Sequence, residues 1–295
     1  METSEIIKRI KKIEITTRDI VNELFSGEYH SLFKGQGLEF SEVREYQSGD
    51  SFRQIDWNVS ARMGHPYIKK FEETRELNVM FLVDCSASTL FGTKGFLKSE
   101  FITEVTAVLS FSAIYNNDKV GCLLFTDEVE QYIPPRKGKK HALRILRDIL
   151  YFEPKNTRTN IEKAVEYIYR LIKKRSIIFV VSDFFDQEYE NSLKLLAKKH
   201  DVIALRILDK AEIELPNAGL LNLRDPETGM NFTVNTSSKN IREKYKKEIE
   251  KQESEISETF KKMKIDLVNL FTDKPYAPEL MKFFKFRIKM KNRSK

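Results

Sequence analysis

An uninterrupted apolar run over residues 79–83 ends abruptly at Asp84, and Ser86 and Ser88 follow it. Five apolar residues bounded by polar ones are typical of a strand that is buried on both faces of a sheet. In an open α/β sheet, ligands bind just beyond the carboxyl ends of such strands. We therefore expect these three polar side chains to lie where this architecture places its chemistry. Their oxygens suit Mg²⁺, Ca²⁺ or Mn²⁺ better than zinc.

Helical and strand periods alternate along the chain after this run. The pattern predicts helices over 96–115, 141–150, 160–173 and 190–199, and strands over 119–125, 129–133, 175–181 and 202–208. Pro134 and Pro135 predict the end of the strand at 133. Strands separated by helices of this length indicate an α/β fold with a mostly parallel, doubly wound sheet, a Rossmann-like three-layer arrangement.

The pattern changes over residues 213–235, where two short strands and an Asp-Pro-Glu-Thr-Gly turn predict a small β-hairpin insertion. A highly charged segment, 239–263, carries a narrow apolar stripe that predicts a long helix docked by one face. A last strand over 266–271 and a closing helix over 276–286 complete the main domain, residues 77–295. The basic tail, 285–295, is expected to fray.

Residues 1–76 are predicted to form an N-terminal extension packed on the main domain. Isoleucines at helical spacing predict one or two amphipathic helices over 5–25. Beyond them lies an arginine-rich segment whose charged members are expected to pair and to pin it in place: Arg44, Arg53 and Arg62 with Glu45, Asp50 or Asp56. Gly35-Gln36-Gly37 is a poor phosphate loop, because it lacks a third glycine, a Lys-Ser/Thr ending and a preceding strand.

The composition describes a folded protein with a highly charged surface: 41% of residues are hydrophobic and 32% are charged. The net charge of +7 permits contact with nucleic acid or anionic membrane, but interleaved acidic residues favour a solvated surface. Nucleic-acid binding through the basic tail is kept as an alternative.

No apolar signal-peptide core or membrane-length apolar run occurs, which predicts a soluble, cytoplasmic protein. Cys85 and Cys122 are expected to be buried free thiols.

Two further polar residues are predicted at the same edge of the sheet. Thr159 precedes a helix, and Asp183 follows the apolar residues 177–181. A DxSxS sequence alone is equally well explained by a turn or a helix cap, because Asp and Ser are common in both. A threonine and an aspartate at the ends of later elements favour a shared site.

DxSxS, a later threonine and a later aspartate resemble the metal-ion-dependent adhesion site of von Willebrand factor A domains. The resemblance implies Mg²⁺, or Mn²⁺, held by Ser86, Ser88 and Thr159, with Asp84 and Asp183 bonding directly or through water. Thr157 is an alternative to Thr159. Neutral hydroxyl ligands leave such a metal electron-poor, so that an acidic side chain of a partner protein completes its shell.

The upstream motifs resemble those of the family called domain of unknown function 58, which has a von Willebrand A-like fold. They are Gly35-x-Gly37-x-Glu39-Phe40, Val43-Arg44-Glu45-Tyr46, Gly49-Asp50, Arg53, Asp56-Trp57 and Ala61-Arg62. The resemblance implies a MoxR-type AAA+ ATPase or another von Willebrand A protein, such as the aerotolerance-related Bat proteins, as partner in assembly or stress tolerance. A metal-free scaffold of the same fold is the alternative. Thr89 departs from the methionine of many relatives, at a position that is not a ligand.

Enzymatic readings fit the sequence poorly. An aspartyl-phosphate hydrolase needs a second aspartate where Ser86 stands, and a serine hydrolase needs a histidine beside its nucleophile. No GxSxG elbow is present. We therefore expect a non-enzymatic adaptor that binds a divalent cation.

Overall fold

The fold is described from a computed structural model, which covers residues 12, 13, 17, 20, 39–52, 55–72, 76–93, 97–186 and 188–293. Its strands are β1 (Glu39–Glu45), β2 (Tyr67–Glu72), β3 (Asn78–Asp84), β4 (Lys119–Phe125), β5 (Val129–Arg136), β6 (Ile177–Ser182), β7 (Asp201–Leu208), β8 (Leu220–Arg224), β9 (Asn231–Asn235) and β10 (Asp266–Phe271). Its helices are α1 (Trp57–Met63), α2 (Lys98–Tyr115), α3 (Lys139–Leu150), α4 (Ile161–Leu171), α5 (Glu190–Lys199), α6 (Lys210–Ile213), α7 (Lys239–Met263) and α8 (Tyr276–Arg293).

A six-stranded sheet in the order β10-β7-β6-β3-β4-β5 forms the centre of the protein. All neighbouring pairs are parallel except β4 and β5, which are antiparallel. The chain builds outward from β3 through β4 to one edge, and then returns to β6 on the other side of β3. The gap between the carboxyl ends of β3 and β6 is therefore the topological switch point, where open α/β sheets bind ligands. The predicted α/β fold is confirmed.

Alternate residues of β3 face two hydrophobic cores, one on each side of the sheet. Val79, Phe81 and Val83 pack in a core with residues of α2, α3 and α8. Met80 and Leu82 pack in a second core with residues of α4, α5 and α7. A strand covered on both faces has no solvent side, which explains why β3 reads as a continuous apolar run.

β5 continues through Pro134 and Pro135 to Arg136, so the prediction that these prolines end the strand is wrong. β5 is an edge strand of the sheet. A proline lacks a backbone N–H, but an edge strand needs donors on only one side.

α8 also continues past its predicted end at residue 286, and the predicted fraying is wrong as far as Arg293. Arg287 donates from both terminal nitrogens to Asp201, at 2.7 and 3.0 Å, and from Nε to Asp266 at 2.6 Å. These contacts hold the last turns of α8 against the first residues of β7 and β10.

The N-terminal part contributes an antiparallel pair, β1 and β2, outside the central sheet. The predicted pairing of Arg44 with Asp50 is present as two bonds of 2.7 and 2.9 Å, and Asp56 caps the start of α1. Within the region predicted as helical over 5–25, the described residues 12, 13, 17 and 20 are helical, and Ile13 packs with Ala107 and Leu146. Residues 33–37 and Arg53, part of the arginine-rich motif, lie outside the described residues.

The predicted insertion is the antiparallel hairpin β8–β9, and α7 spans the residues that its apolar stripe predicts. Both cysteines are buried free thiols, as predicted. In the described part of the chain, no helix is both long and apolar enough to cross a bilayer.

Candidate metal centre

The DxSxS loop begins where β3 ends, at Asp84. Asp84 Oδ1 accepts a hydrogen bond from the backbone N–H of Ser86 at 2.9 Å, and Thr89 Oγ1 donates to the carbonyl of Ser86 at 2.8 Å. A short 3-10 helix, Ala87–Leu90, follows. Asp84 and Ser86 are both fully or almost fully buried. The loop is therefore held by its own side chains in one conformation beside the switch point.

Hydroxyl groups converge on this loop from two segments. Ser86 Oγ lies 3.1 Å from Ser88 Oγ, and Thr159 Oγ1 lies 3.5 Å from Asp84 Oδ2. The segment before α4 is attached to the loop by a bond from Ala87 N to the carbonyl of Thr157, at 2.9 Å. Thr157 Oγ1 instead donates to the carbonyl of Glu227, at 3.1 Å. Of the two candidate threonines, Thr159 is therefore the one whose hydroxyl reaches Asp84.

Asp183 follows the end of β6, where it is bound by a lysine. Lys98 Nζ lies 2.9 Å from Asp183 Oδ2 and 2.8 Å from Glu212 Oε1, and its side chain is 1% exposed. Asp183 Oδ1 accepts from the N–H of Phe185 at 3.3 Å. Burial alone lowers the pKa of Lys98, but the two carboxylates outweigh it and the pKa lies above its usual range. Lys98 is therefore a cation built into this side of the site.

Asp84 has hydrogen bonds but no such cation in contact with it among the described residues. Ser182 Oγ donates to Asp84 Oδ2 at 2.7 Å, in addition to the bond from Ser86 N. Burial, and then the nearby charge of Asp183, raise the pKa of Asp84 to about 7. A buried carboxylate that repels its neighbour in this way is stabilised when a cation binds beside it.

The two serine hydroxyls are hydrogen-bonded to each other at a spacing that adjacent ligands of an octahedral cation also have. Mg²⁺ binds oxygen at about 2.1 Å, so that two adjacent ligands are about 3.0 Å apart. The Ser86 Oγ to Ser88 Oγ distance of 3.1 Å matches that spacing. In the described part of the chain, no three His, Cys, Asp or Glu side chains are grouped to hold a metal, so the candidate centre depends on hydroxyl ligands.

Pairwise contacts join four of the five predicted ligands: Ser88 Oγ to Ser86 Oγ, the N–H of Ser86 to Asp84, and Thr159 Oγ1 to Asp84. The fifth, Asp183, adjoins them but is bonded to Lys98. Four residues whose side chains contact those of the predicted ligands or of Lys98 were not predicted as site residues: Lys98, Ser182, Glu212 and Glu227. Lys98 precedes Phe101 and Val105 at helical spacing, so a lysine on the apolar face of α2 was a usable signal. Glu227 gave only a turn signal.

The doubly wound sheet with DxSxS at its switch point defines a von Willebrand A-like α/β domain. The chain belongs to the family described as "Protein of unknown function DUF58", whose model matches residues 42–255. The family assignment and the fold predicted from the motifs are thereby confirmed.

The chain is also similar to one curated relative and to two solved structures, as follows. The uncharacterised protein Rv1480 of Mycobacterium tuberculosis is 26% identical over 96% of this chain and 90% of its own length. The structure of BatB from Bacteroides thetaiotaomicron is 15% identical over 72% of this chain and 99% of that chain, with a TM-score of 0.45. Proximal thread matrix protein 1 from the mussel byssus, with zinc in its MIDAS motif, is 18% identical over 45% of this chain and 38% of that chain, with a TM-score of 0.36.

Proposed function

We propose that this protein is a non-enzymatic interaction module that binds Mg²⁺ or Mn²⁺ and, through it, an acidic side chain of a protein partner. One observation carries the proposal: the hydroxyls of Ser86 and Ser88 lie 3.1 Å apart beside Asp84, at the switch point of the sheet. Ser86, Ser88 and Thr159 are the ligands, and Asp84 and Asp183 act directly or through water. The bound cation supplies positive charge toward which a carboxylate is drawn.

The surrounding residues of the chain prepare the ligands for this role. The Asp84 carboxylate fixes the backbone of Ser86, and the hydroxyl of Ser182 fixes Asp84 in turn. Supporting hydrogen bonds of this kind orient metal ligands and commonly change metal affinity by about 10- to 100-fold. Lys98 neutralises part of the charge of Asp183, so that fewer full charges surround the cation and more of its attraction is left for a partner.

Two of the described histidines, His141 and His200, are not placed as bases for a catalytic serine. His141 Nε2 is bonded to the carbonyl of Val120, at 3.0 Å, and His200 is a buried residue at the end of α5. The contacts of Ser86 described above are to Asp84, Ser88 and Thr89, so no histidine is described beside it in the role that a serine hydrolase requires. The absence of enzymatic activity remains part of the proposal.

The partner is proposed from the family resemblance. It is a MoxR-type AAA+ ATPase, or another von Willebrand A protein, engaged during assembly or stress tolerance. Its contact residue is an aspartate or glutamate, because an electron-poor divalent cation prefers an anionic oxygen. The cytoplasmic location stays a prediction.

Calorimetric titration with Mg²⁺ and Mn²⁺ tests the cation. The wild type is expected to bind, whereas Asp84→Ala and Ser86→Ala abolish binding and leave the circular dichroism spectrum unchanged. Ser192→Ala is the matched control, because Ser192 is a buried serine of α5 that bonds only to the carbonyl of Tyr189 in the contacts described. A wild type that binds neither cation contradicts the proposal and favours the metal-free scaffold.

A pull-down with the purified MoxR-type ATPase, with and without chelator, tests the partner. Chelator is expected to release the ATPase from the wild type, and Asp84→Ala is expected not to capture it. Capture that chelator leaves unchanged would show that the cation plays no part in binding.

A further inference from the structure

The β8–β9 hairpin places a carboxylate at the candidate metal centre. Glu227 Oε1 accepts a hydrogen bond from Thr159 Oγ1 at 3.0 Å, and the carbonyl of Glu227 accepts from Thr157 Oγ1 at 3.1 Å. Thr159 Oγ1 also faces Asp84 Oδ2 at 3.5 Å. One hydroxyl thus lies between the carboxylate of the central strand and the carboxylate of the hairpin.

The turn that carries Glu227 is held by its own hydrogen bonds. Asp225 Oδ1 accepts from the N–H of Glu227 at 2.9 Å, and Asp225 Oδ2 accepts from Thr228 Oγ1 at 2.6 Å. The N–H of Gly229 donates to the carbonyl of Asp225 at 2.9 Å, with Gly229 at a positive φ of 73° that favours glycine. The backbone of Glu227 is therefore placed by the turn, whether or not its side chain binds anything.

The charges around Glu227 do not favour a carboxylate in that position. In the contacts described for it, the carboxylate of Glu227 is bonded to the hydroxyl of Thr159, which lies 3.5 Å from Asp84 Oδ2, and not to a cation. The ammonium of Lys98 is bonded to Asp183 and Glu212 instead. Asp84, Asp183, Glu212 and Glu227 thus bring four carboxylates to a region in which Lys98 supplies one positive charge.

We infer that Glu227 is a ligand that the chain supplies to its own cation, in the position beside Thr159 that the acidic side chain of a partner takes. The inference rests on the proposed cation site and adds a property to it. The hairpin is a competitor for the partner, and its turn must leave the site when the partner's carboxylate enters. Binding of the partner and displacement of the hairpin are therefore one event.

Titration of Mn²⁺ into wild type, Glu227→Gln and Glu214→Gln tests the inference by calorimetry. Glu214 is the matched control, because it lies near the same hairpin but pairs with Lys246. Glu227→Gln keeps the shape of the side chain and removes its charge, and we expect Mn²⁺ to bind it about tenfold more weakly than it binds the other two proteins.

Sodium acetate then distinguishes a lost ligand from a disturbed fold. Acetate is expected to restore Mn²⁺ affinity to Glu227→Gln, since its carboxylate enters the vacated position, and to leave wild type and Glu214→Gln unchanged. Sodium chloride at equal ionic strength controls for screening.

Tryptic cleavage after Arg224, the exposed last residue of β8 next to the turn, provides a readout of the hairpin itself. Mn²⁺ is expected to slow this cleavage in wild type and in Glu214→Gln, but not in Glu227→Gln.

Equal Mn²⁺ affinity in wild type and Glu227→Gln, with no acetate effect, overturns the inference and leaves the proposed function intact. Tighter binding by Glu227→Gln also overturns it, since the carboxylate then only obstructs the site. A wild type that does not bind Mn²⁺ overturns both the inference and the proposed function.

Discussion

Two buried carboxylates at the switch point, Asp84 and Asp183, are compensated in different ways. Asp183 is bonded to the ammonium of Lys98, which Glu212 shares. Asp84 is bonded to the N–H of Ser86 and the hydroxyl of Ser182, and the hydroxyls of Ser86, Ser88 and Thr159 lie around it. Asp183 is thus paired with a cation that is a side chain of the protein itself. Asp84 is surrounded by ligands for a cation that must come from solution.

The charge that compensates Asp183 is always present, whereas the charge that would compensate Asp84 is present only when a metal is bound. A lysine fixed in the core stabilises the fold at all times, because its charge cannot leave. A bound metal stabilises the site only when the ion is present, and it keeps coordination positions that a carboxylate from outside can enter. Removing the lysine or withholding the metal therefore tests how much each cation contributes to the stability of the fold and to binding.

Removing Lys98 is expected to have the largest effect on stability. Lys98→Met leaves Asp183 and Glu212 buried without their cation, which lowers the free energy of unfolding by about 3–5 kcal/mol. Urea denaturation followed by circular dichroism measures the loss. Lys119→Met is the control, because Lys119 pairs with Glu76 at the surface, and it is expected to cause a much smaller loss. Equal losses in the two variants would show that Lys98 is not a structural cation.

Adding Mn²⁺ is expected to have the next largest effect. At a hundredfold excess over the Kd, Mn²⁺ raises the free energy of unfolding of the wild type by about 2.7 kcal/mol. Asp84→Asn is expected to show no increase, whereas Ser192→Ala shows the full one. Denaturation in Mn²⁺ and in chelator gives the comparison, and an increase retained by Asp84→Asn would place the cation elsewhere.

A pH series in chelator isolates the charge of Asp84. Its pKa is about 7 in the folded protein, against 3.8 for an ordinary aspartate, so the folded state holds a proton that the unfolded state releases. The resulting stabilisation is complete below the unfolded pKa and is lost as the pH rises through the folded pKa. Relative to Asp84→Asn, the wild type should lose on the order of 2 kcal/mol between about pH 5 and pH 7.

Saturating Mn²⁺ should remove that pH dependence near neutrality, since the cation displaces the proton. Parallel curves for wild type and Asp84→Asn in chelator would contradict the raised pKa.

Ser182→Ala is expected to have the smallest effect. It removes the 2.7 Å bond to Asp84 and the acceptor of the Phe184 N–H, and should lower the free energy of unfolding by about 1.5 kcal/mol. Ser192→Ala removes a bond to a neutral carbonyl, so it should lower the free energy of unfolding by less than Ser182→Ala does. The quantity to compare is the difference between the two losses in chelator; no difference would mean that Asp84 is not stabilised through Ser182.

The strands and helices of the main domain follow from local patterns, because β3 and β6 are apolar on both faces and α7 carries a continuous stripe. Errors occurred where distant contacts decide the outcome. Pro134 and Pro135 remain in a strand because β5 lies at the edge of the sheet, and α8 extends because Arg287 reaches Asp201 and Asp266. Neither fact is visible in a local window of sequence.

The candidate site also contains contacts that could be predicted from a local stretch of sequence and contacts that could not. Asp84, Ser86 and Ser88 are adjacent in sequence, so their proximity could be predicted from the end of a single strand. The bonds from Lys98 to Asp183 and from Thr159 to Glu227 join residues 85 and 68 positions apart. Those pairings depend on how α2 and the hairpin pack on the sheet, which residue type and spacing do not encode.

The separation of the site residues along the chain has a consequence for biosynthesis. Its first member, Asp84, belongs to the central strand, and Glu227 is the last to be translated. The last predicted ligand, Asp183, precedes Glu227 by 44 residues, which take about 2–9 s at elongation rates of 5–20 residues per second. The nascent chain therefore contains every predicted ligand before it contains the carboxylate that bonds to Thr159.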